Sequence, residues 1–353
     1  MSRPVVVKLG SALVADARGR VRRELLRARA AEIAAVVEGG TPVCVVSSGA
    51  IALGLPLLGL TSRPRSLPKL QAASALGQSR LQRAWEEVFA GCGLRAAQVL
   101  LTGAEIADRR AYVNVRSTFD ALFSLRAVPV VNENDAIATD EISFGDNDSL
   151  AAQVAVLVGA RLLVLLTSVE GVHTHAPGTP GATLISEGAA ARGAAFGAGS
   201  ALGRGGMESK IQAAELAAAA GIPTVIAGGA GPAVLAPLLA GEPRGTRFTP
   251  APGSDAASAY KLWLRFGKRI AARVAVDDGA KRAVLGGASL LAVGVVGWEP
   301  DFRAGDGVEI VGADDVPFAR GISAVDAAEL AGRPANVEAV HRDRLVLVQE
   351  PPG

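Results

Sequence analysis

Five short, nearly continuous apolar runs are the feature that most constrains the fold of this 353-residue chain. Longer segments with the 3.6-residue periodicity of amphipathic helices separate them. Strands that are apolar along their whole length are typical of a parallel sheet covered by helices on both faces. The alternation therefore predicts an α/β fold, a three-layer αβα sandwich with a mostly parallel central sheet. The five runs are PVVVK (4–8), PVCVV (42–46), AVPVV (127–131), RLLVLL (161–166) and IPTVIA (222–227).

The pattern changes after residue 248. The stretch TPAPGSDAAS (249–258) has the composition of a linker, and short alternating runs separated by turn residues follow it. Such runs predict a small β-rich domain. We therefore expect the α/β domain at 1–248, a linker at 249–268 and the β-rich domain at 269–353.

Composition limits the classes of protein that remain. Hydrophobic residues make up 50% of the chain and the net charge is only +2, which does not argue for a nucleic-acid or membrane partner. The two cysteines, Cys44 and Cys92, give no disulfide framework and no zinc spacing. The N-terminus lacks a signal-peptide pattern, and the most apolar stretch, 151–166, is interrupted by polar residues. These features predict a cytoplasmic protein that does not enter a membrane.

Polar and glycine residues collect where the predicted strands end. Lys8 lies at the end of the first strand and should face a negative partner, because an unpaired buried lysine is costly. Gly10 would let backbone amides approach a ligand closely. Ser48 and Gly49 stand where a helix begins, either as a simple helix cap or as amide donors to an anion.

A second glycine cluster, GRGGMESK (203–210), introduces another predicted helix. Its spacing is not that of a Walker A motif, and no G-x-G-x-x-G follows the first strand. Two lysines and two glycine-rich turns at strand ends nevertheless provide what phosphoryl transfer needs: cations and amides around the phosphates. The pair of histidines at 173–175 lacks a third ligand, so we expect no metal-ligating residue there.

The segment NENDAIATDEISFGDNDS (132–149) holds three Asn, four Asp and two Glu. Asn and Asp are common in ordinary surface turns, because both hydrogen-bond to their own backbone. The same residues would also suit a site for an ammonium group, a metal ion, or both. The residues alone leave these alternatives open.

Six motifs, in this order and spacing, resemble those of the glutamate 5-kinases, members of the amino acid kinase superfamily. The 269–353 region resembles a PUA domain. The resemblance implies the amino acid kinase fold and transfer of the ATP γ-phosphoryl group, with Mg²⁺, to the γ-carboxylate of L-glutamate, the first step of proline biosynthesis. The motifs are VVKLGS, VSSGAIALG, KLQAASALGQSRL, VVNENDAIAT, FGDNDSLAA and GRGGMESK.

The resemblance also implies roles for individual residues. Lys8 and Lys210 match the lysines that neutralise the transferring phosphoryl group, and Asp148 matches the aspartate that holds them. The positions that match substrate-binding residues are Ser48, Asn132, Asp135 and Asn147. The positions that match nucleotide contacts are Lys8, Gly10, Gly49, Thr167, Ser168, Arg204, Gly205, Gly206, Met207, Glu208, Ser209 and Lys210.

Three places in the sequence depart from the family pattern. Ser168 stands where Asp is usual, Arg204 where a small Thr is usual, and ESK where STK is usual. These departures predict a change in nucleotide affinity or preference rather than loss of the chemistry. The resemblance further implies a homo-oligomer, a dimer or tetramer, and feedback inhibition by proline.

Two other functions fit the sequence less well. One is a kinase for another carboxylate, such as N-acetylglutamate or aspartate, although the acidic segment favours a free ammonium group. The other is RNA binding through the C-terminal domain, where basic residues cluster at 261–282. Acidic residues are interspersed there and aromatic residues are few, which is more typical of a solvated basic face.

Overall fold

The computed structural model of the chain describes residues 2–107, 109–137, 147–191, 206–252, 254, 264 and 270–348. It divides the chain into two compact units, Met1–Ala259 and Tyr260–Gly353. The predicted linker 249–268 lies mostly outside the described residues. The predicted domain bounds at 248 and 269 therefore stay predictions.

The first unit is built on a seven-stranded sheet. Its order is β3-β4-β2-β1-β5-β6-β7, with β1 to β6 parallel and β7 antiparallel to β6. The strands are β1 (Val5–Leu9), β2 (Val43–Ser47), β3 (Arg95–Leu101), β4 (Ala127–Glu133), β5 (Leu162–Thr167), β6 (Thr224–Gly228) and β7 (Thr246–Phe248).

Helices cover both faces of this sheet, which confirms the predicted αβα class. Helices α2, α4 and α10 pack together on one face, and α7 and α9 pack together on the other. A 3₁₀ turn, Leu55–Leu58, follows α3. The helices are α1 (Ser11–Val14), α2 (Arg23–Glu38), α3 (Ala50–Gly54), α4 (Leu67–Ala90), α5 (Gly103–Ala107), α6 (Arg109–Ser124), α7 (Asn147–Leu157), α8 (Gly188–Ala191), α9 (Met207–Ala219) and α10 (Leu235–Leu239).

The alternation of side chains along β1 decides which layer each residue meets. Val5, Val7 and Leu9 join the core cluster formed with α2 and α4. Because successive residues of a strand point to opposite faces, Lys8 points to the face covered by α7 and α9. The single lysine in this strand thereby enters the layer that carries Asp148 and Lys210.

Helices α3 and α4 touch backbone to backbone. A Cβ atom added to Gly77 would lie 1.8 Å from the carbonyl oxygen of Ala50, and one added to Gly54 would lie 1.8 Å from that of Ala73. No side chain fits at either position, since real contacts never come so close. The two glycines therefore hold α4 against the segment that leaves β2.

Two strands, β3 and β7, were not among the predicted apolar runs. The side chains of β3, RAAQVLL, are half-exposed along most of its length, so its pattern lacks the continuous apolar character of a central strand. Helix α7 begins at Asn147, inside the acidic segment 132–149. Asn147 and Asp148 are thus residues of its first turn rather than of a loop.

The second unit is β-rich, as predicted. Its five-stranded sheet has the order β10-β8-β11-β12-β14, β9 pairs with β13, and its own core includes Val274, Ile310 and Phe318. Among the described residues, no helix is both long enough and apolar enough to cross a membrane. The elements are β8 (Ile270–Val276), α11 (Asp278–Leu285), β9 (Leu290–Leu291), β10 (Val295–Glu299), β11 (Gly307–Val311), β12 (Pro317–Ile322), α12 (Ala327–Leu330), β13 (Glu338–Val340) and β14 (Leu345–Leu347), with 3₁₀ turns at Ala292–Gly294 and Arg342–Arg344.

Candidate active site

The predicted site residues gather at one edge of the sheet. In the register of β1 with its neighbours, Leu9 lies beside Ser47 of β2 and beside Leu166 of β5. Parallel strands end at the same edge, where α/β sheets bind their ligands. The turns that follow β1, β2, β4 and β5 therefore open onto one region.

Lys8, Asp148 and Lys210 form a buried cluster at this edge. Lys8 Nζ lies 2.6 Å from Asp148 Oδ1, and Lys210 Nζ lies 3.0 Å from Asp148 Oδ2. Their side chains are 4%, 6% and 1% exposed for Lys8, Lys210 and Asp148 respectively. Three elements distant in sequence, β1, α7 and α9, thus bring one carboxylate between two ammonium groups.

Asp148 is ionised under ordinary conditions. Burial raises the pKa of this carboxyl, but the positive charges of Lys8 and Lys210 and their hydrogen bonds outweigh burial and lower the pKa to about 2. Ser209 Oγ donates a further hydrogen bond to Asp148 Oδ2 at 3.0 Å. The three charged side chains sum to one positive charge, which favours an anion beside them.

A second buried carboxylate, Asp135, lies in a different environment. It is 5% exposed, and Ser74 Oγ donates to its Oδ2 at 2.6 Å. Burial raises the pKa of Asp135, while the Ser74 hydrogen bond and the charge of Arg63 oppose the rise. Its Oδ1 is buried and has no hydrogen-bond partner among the described residues.

Two asparagines flank this carboxylate in sequence. Asn132, in β4, donates through Nδ2 to Gln78 Oε1 at 2.7 Å, and its buried Oδ1 has no partner in the described part of the chain. The backbone amide of Glu133 donates a hydrogen bond to Asn147 Oδ1 at 3.3 Å. The Nδ2 group of Asn147 is then the half of that side chain that can donate to a ligand.

The glycine turns only partly fit the prediction of open amides. Gly49 has φ +116°, a conformation that favours glycine, and it caps α3, so Ser48 is not the helix cap. However, the amide of Gly10 donates to Leu166 O at 3.3 Å and that of Ser48 to Leu9 O at 3.2 Å. These two amides are used within the protein, because strand pairing continues one residue beyond β1 and β2.

The predicted nucleotide residues lie at two places that border the cluster. Thr167 ends β5, and Ser168 is exposed directly after it. Gly206 precedes α9, whose first turn holds Met207, Glu208 and Ser209 before Lys210. Arg204 and Gly205 lie outside the described residues. In the part of the chain that is described, no group of three His, Cys, Asp or Glu is arranged to hold a metal ion.

Sequence reasoning did not assign roles to two residues of α4, Ser74 and Gln78. Both belong to the quoted segment KLQAASALGQSRL. The signal was available, since Ser74 lies among Leu70, Ala73 and Gly77 on the buried face of the helix. A polar side chain on such a face requires a hydrogen-bond partner.

Two basic residues of the predicted cluster, Arg273 and Lys281, pair with acidic side chains of the second unit. Arg273 lies 3.3 Å from both Glu309 and Asp315, and Lys281 lies 3.2 Å from Asp314. Four of the predicted basic cluster, Lys261, Arg265, Lys268 and Arg269, lie outside the described residues. The paired arginine and lysine do not favour the RNA-binding alternative.

Comparison with known proteins assigns both parts of the chain to known families. The Amino acid kinase family matches residues 3–228, and the PUA domain matches residues 272–336. A glutamate 5-kinase from Pelobacter propionicus is 41% identical, covering 98% of this chain and 97% of its own. One from Ectopseudomonas mendocina is 45% identical, covering 97% of both chains.

The structural comparison agrees on the fold. A carbamate kinase from Giardia lamblia bound to AMP-PNP is 17% identical with a TM-score of 0.51, and it covers 70% of this chain and 98% of its own. At this identity the similarity concerns the fold alone. The stronger finding is the identity of 41% and 45% to the two glutamate 5-kinases over nearly the full length of both chains. This chain, an amino acid kinase domain followed by a PUA domain, therefore belongs to the glutamate 5-kinase family.

Proposed function

We propose that this protein transfers the γ-phosphoryl group of ATP to the γ-carboxylate of L-glutamate, forming L-glutamyl 5-phosphate and ADP, in proline biosynthesis. The observation that carries the proposal is the Lys8–Asp148–Lys210 cluster at the carboxyl edge of the sheet. The two relatives named above, which match this protein over nearly its whole length, are glutamate 5-kinases. The cluster supplies the cations that this reaction requires.

The chemistry needs charge neutralisation more than proton transfer. The acceptor carboxylate has an ordinary pKa of about 4.3, so it is ionised at neutral pH and no general base is required. One of its oxygens attacks the γ-phosphorus while the bond to the β,γ-bridging oxygen breaks, and ADP leaves with that electron pair. Lys8 and Lys210 stabilise the charge that develops on the transferring group.

Asp148 acts by holding the two lysines in place. Each of its carboxylate oxygens accepts from a different lysine, at 2.6 Å and 3.0 Å, which fixes the separation of the two ammonium groups. Groups that are already oriented need no rearrangement as charge develops, which is the source of their catalytic effect. Mg²⁺ enters with ATP as part of the substrate and neutralises charge on the phosphoryl oxygens.

The amino acid end of glutamate fits the region around Asp135. Asp135 Oδ1 and Asn132 Oδ1 are buried acceptors without partners among the described residues. An α-ammonium group has three N–H donors and would satisfy both. Asn147 Nδ2 can donate to the α-carboxylate, and Ser48 lies after β2 at the same edge of the sheet.

The nucleotide contacts are proposed from family membership and position. Gly10, Gly49 and the segment 204–210 border the phosphates, and Thr167 and Ser168 contact the remainder of the nucleotide. Ser168 in place of the usual Asp, together with Arg204, is expected to alter affinity for ATP or preference over GTP. Titration of both nucleotides against the initial rate measures this effect.

Family membership also supports proposals on assembly and regulation. We expect a cytoplasmic homo-oligomer, a dimer or tetramer, inhibited by proline that competes with glutamate. Analytical ultracentrifugation tests the assembly. Initial rates over a grid of proline and glutamate concentrations test the competition.

The decisive experiment measures ADP release from Mg-ATP with L-glutamate, N-acetyl-L-glutamate and L-aspartate as acceptors. Hydroxylamine is included, because it converts an acyl phosphate to a stable hydroxamate. We expect turnover and hydroxamate only with L-glutamate. Turnover with another acceptor would retain the lysine chemistry and overturn the assignment of the substrate.

A further inference from the structure

Helix α4 supplies the hydrogen-bond partners of both unsatisfied acceptors. Ser74 Oγ donates to Asp135 Oδ2 at 2.6 Å, and Gln78 Oε1 accepts from Asn132 Nδ2 at 2.7 Å. Ser74 and Gln78 are four residues apart and therefore lie on the same face of the helix. One helical turn thus contacts two residues of the amino acid site.

Each of these hydrogen bonds uses one of the two polar atoms at the end of the side chain and leaves the second polar atom for another partner. Asp135 engages Oδ2 and leaves Oδ1, whereas Asn132 engages Nδ2 and leaves Oδ1. In both side chains the remaining atom is a buried oxygen without a partner among the described residues. With Gln78 presenting its Oε1, Asn132 meets it through the donor Nδ2, and this pairing leaves the acceptor Oδ1 of Asn132 for a ligand.

The position of α4 is fixed by the helix contact described above. Gly77 lies between Ser74 and Gln78, and its backbone rests directly on α3. The helix cannot move away from the site without opening this contact. Ser74 is 3% exposed, so its hydroxyl is shielded from solvent.

We propose that Ser74 and Gln78 are positioning residues for amino acid recognition: they orient Asp135 and Asn132 so that two acceptor oxygens face the α-ammonium group of the substrate. This inference rests on the proposed function and extends it to residues that do not contact the substrate. It predicts that α4 determines how strongly the site prefers an acceptor with a free α-ammonium group over one without. Lys8, Asp148 and Lys210 determine the phosphoryl transfer.

The Ser74 hydrogen bond also favours the ionised form of Asp135, the form that pairs with an ammonium group. Burial raises the pKa of Asp135, and Ser74 and the guanidinium of Arg63 are the groups that oppose the rise. Loss of the hydroxyl should therefore raise the pKa of Asp135 further. We expect the kcat/KM for glutamate to fall as Asp135 is protonated. The acidic limb of the pH profile of kcat/KM should therefore move to higher pH when the Ser74 hydroxyl is removed.

The test is Ser74→Ala, with Ser79→Ala as the matched control. Ser79 is an exposed serine of the same helix whose hydroxyl donates to Leu76 O. Alanine is the most favourable residue in a helix, so both variants should fold. We expect Ser74→Ala to raise the KM for glutamate about tenfold, the size of losing a hydrogen bond to a charged group, with kcat within about twofold.

The pH profile separates a positioning role from a merely structural one. The acidic limb of kcat/KM should shift to higher pH in Ser74→Ala and stay in place in Ser79→Ala. Gln78→Met, which keeps the length of the side chain and removes the acceptor, should raise the KM for glutamate without moving that limb. A shifted acidic limb in Ser74→Ala but not in Gln78→Met would show that Ser74 acts through Asp135 and that Gln78 acts through Asn132.

The outcomes are distinguishable from failure of the proposed function. If the unaltered protein turns over glutamate and Ser74→Ala matches Ser79→Ala in both KM and pH profile, the inference is wrong and the function stands. If Ser74→Ala lowers kcat and leaves KM unchanged, the inference is also wrong. Absence of glutamate-dependent turnover in the unaltered protein overturns the proposed function and the inference with it.

Discussion

Asp148 and Asp135 are both buried and lie 13 residues apart, but they differ in their charged partners and in the direction of their pKa shifts. Asp148 is 1% exposed and sits between two lysines, which lower its pKa to about 2. Asp135 is 5% exposed and accepts a hydrogen bond from Ser74, and burial raises its pKa against the opposing effects of that hydrogen bond and of the Arg63 charge. The comparison shows that burial alone does not decide the charge of a carboxyl group; its partners do.

The difference divides the site into two parts with opposite chemistry. Around Asp148 every oxygen is engaged by a cation, so the carboxylate is a structural counter-ion. Around Asp135 one oxygen stays without a partner among the described residues, so that carboxylate is prepared for a cation from outside. Glutamate carries an ammonium group at one end and accepts phosphate at the other, which matches this division.

Removing the charge of Asp148 should have the largest effect. In Asp148→Asn both lysines lose their shared anchor, and we expect kcat to fall about 10⁴-fold, more than the loss of one oriented donor. Steady-state ADP release with glutamate measures this change. Asp278→Asn, an exposed position in the second unit, is the control and should retain full activity. A kcat within tenfold of the unaltered protein would contradict the role of Asp148.

Removing either lysine should have the next largest effect. Lys8→Met and Lys210→Met each delete one cation on the transferring group, and we expect kcat to fall about 10³-fold. The KM for glutamate should change by less than about threefold, since the ammonium region is untouched. Lys281→Met, which removes a lysine paired with Asp314, is the control. An intact kcat with a raised KM would show that the lysines bind substrate rather than stabilise the transition state.

Asp135→Asn should act on binding instead. The neutral amide keeps a partner for Ser74 and loses the charge that pairs with the ammonium group, so the KM for glutamate should rise about 10²-fold. The kcat should stay within about threefold. Asp120→Asn, on an exposed part of α6, serves as the matched control. Equal effects on glutamate and on an acceptor without an ammonium group would refute the assignment.

Stability should respond in opposite directions at the two positions, with the smallest effects. Asp148→Asn leaves two buried lysines without their shared counter-ion, and the free energy of unfolding should fall by about 3 kcal/mol. Asp135→Asn removes a poorly compensated buried charge, and the free energy of unfolding should rise by about 1 kcal/mol. Denaturant unfolding at pH 7 measures both. A stabilised Asp148→Asn would contradict the comparison.

The pH dependence of stability sharpens the same contrast. The folded pKa of Asp148 lies below its ordinary value of 3.8, so its contribution to stability is present above that pH. It is lost as the pH falls toward 2, and linkage gives a loss of about 2 kcal/mol. Asp148→Asn should lack this acid loss, whereas Asp135→Asn should retain it. Unfolding curves between pH 6 and pH 2 make the comparison.

Much of the fold was predictable because the central strands carry their signal locally. The runs at β1, β2, β4, β5 and β6 are apolar on both faces. By contrast, β3 lies at the sheet edge, and its residues before Leu101 are all exposed or half-buried. Edge strands lack the continuous pattern of central strands, so a search for apolar runs misses them.

The sequence by itself determined the αβα architecture, the β-rich second unit and the presence of two lysines, two glycine-rich turns and an acidic segment at strand ends. Those follow from periodicity and residue type, which are properties of short segments. The family resemblance implied that Asp148 holds Lys8 and Lys210, but no local pattern in the sequence showed it. The tertiary structure brings these side chains into contact, because strand alternation and helix packing join Lys8 to Asp148 across 140 positions and Lys210 to Asp148 across 62 positions. It also decided that Ser74 and Gln78 orient Asp135 and Asn132, since a contact between a helix and a distant turn leaves no periodic trace in the sequence.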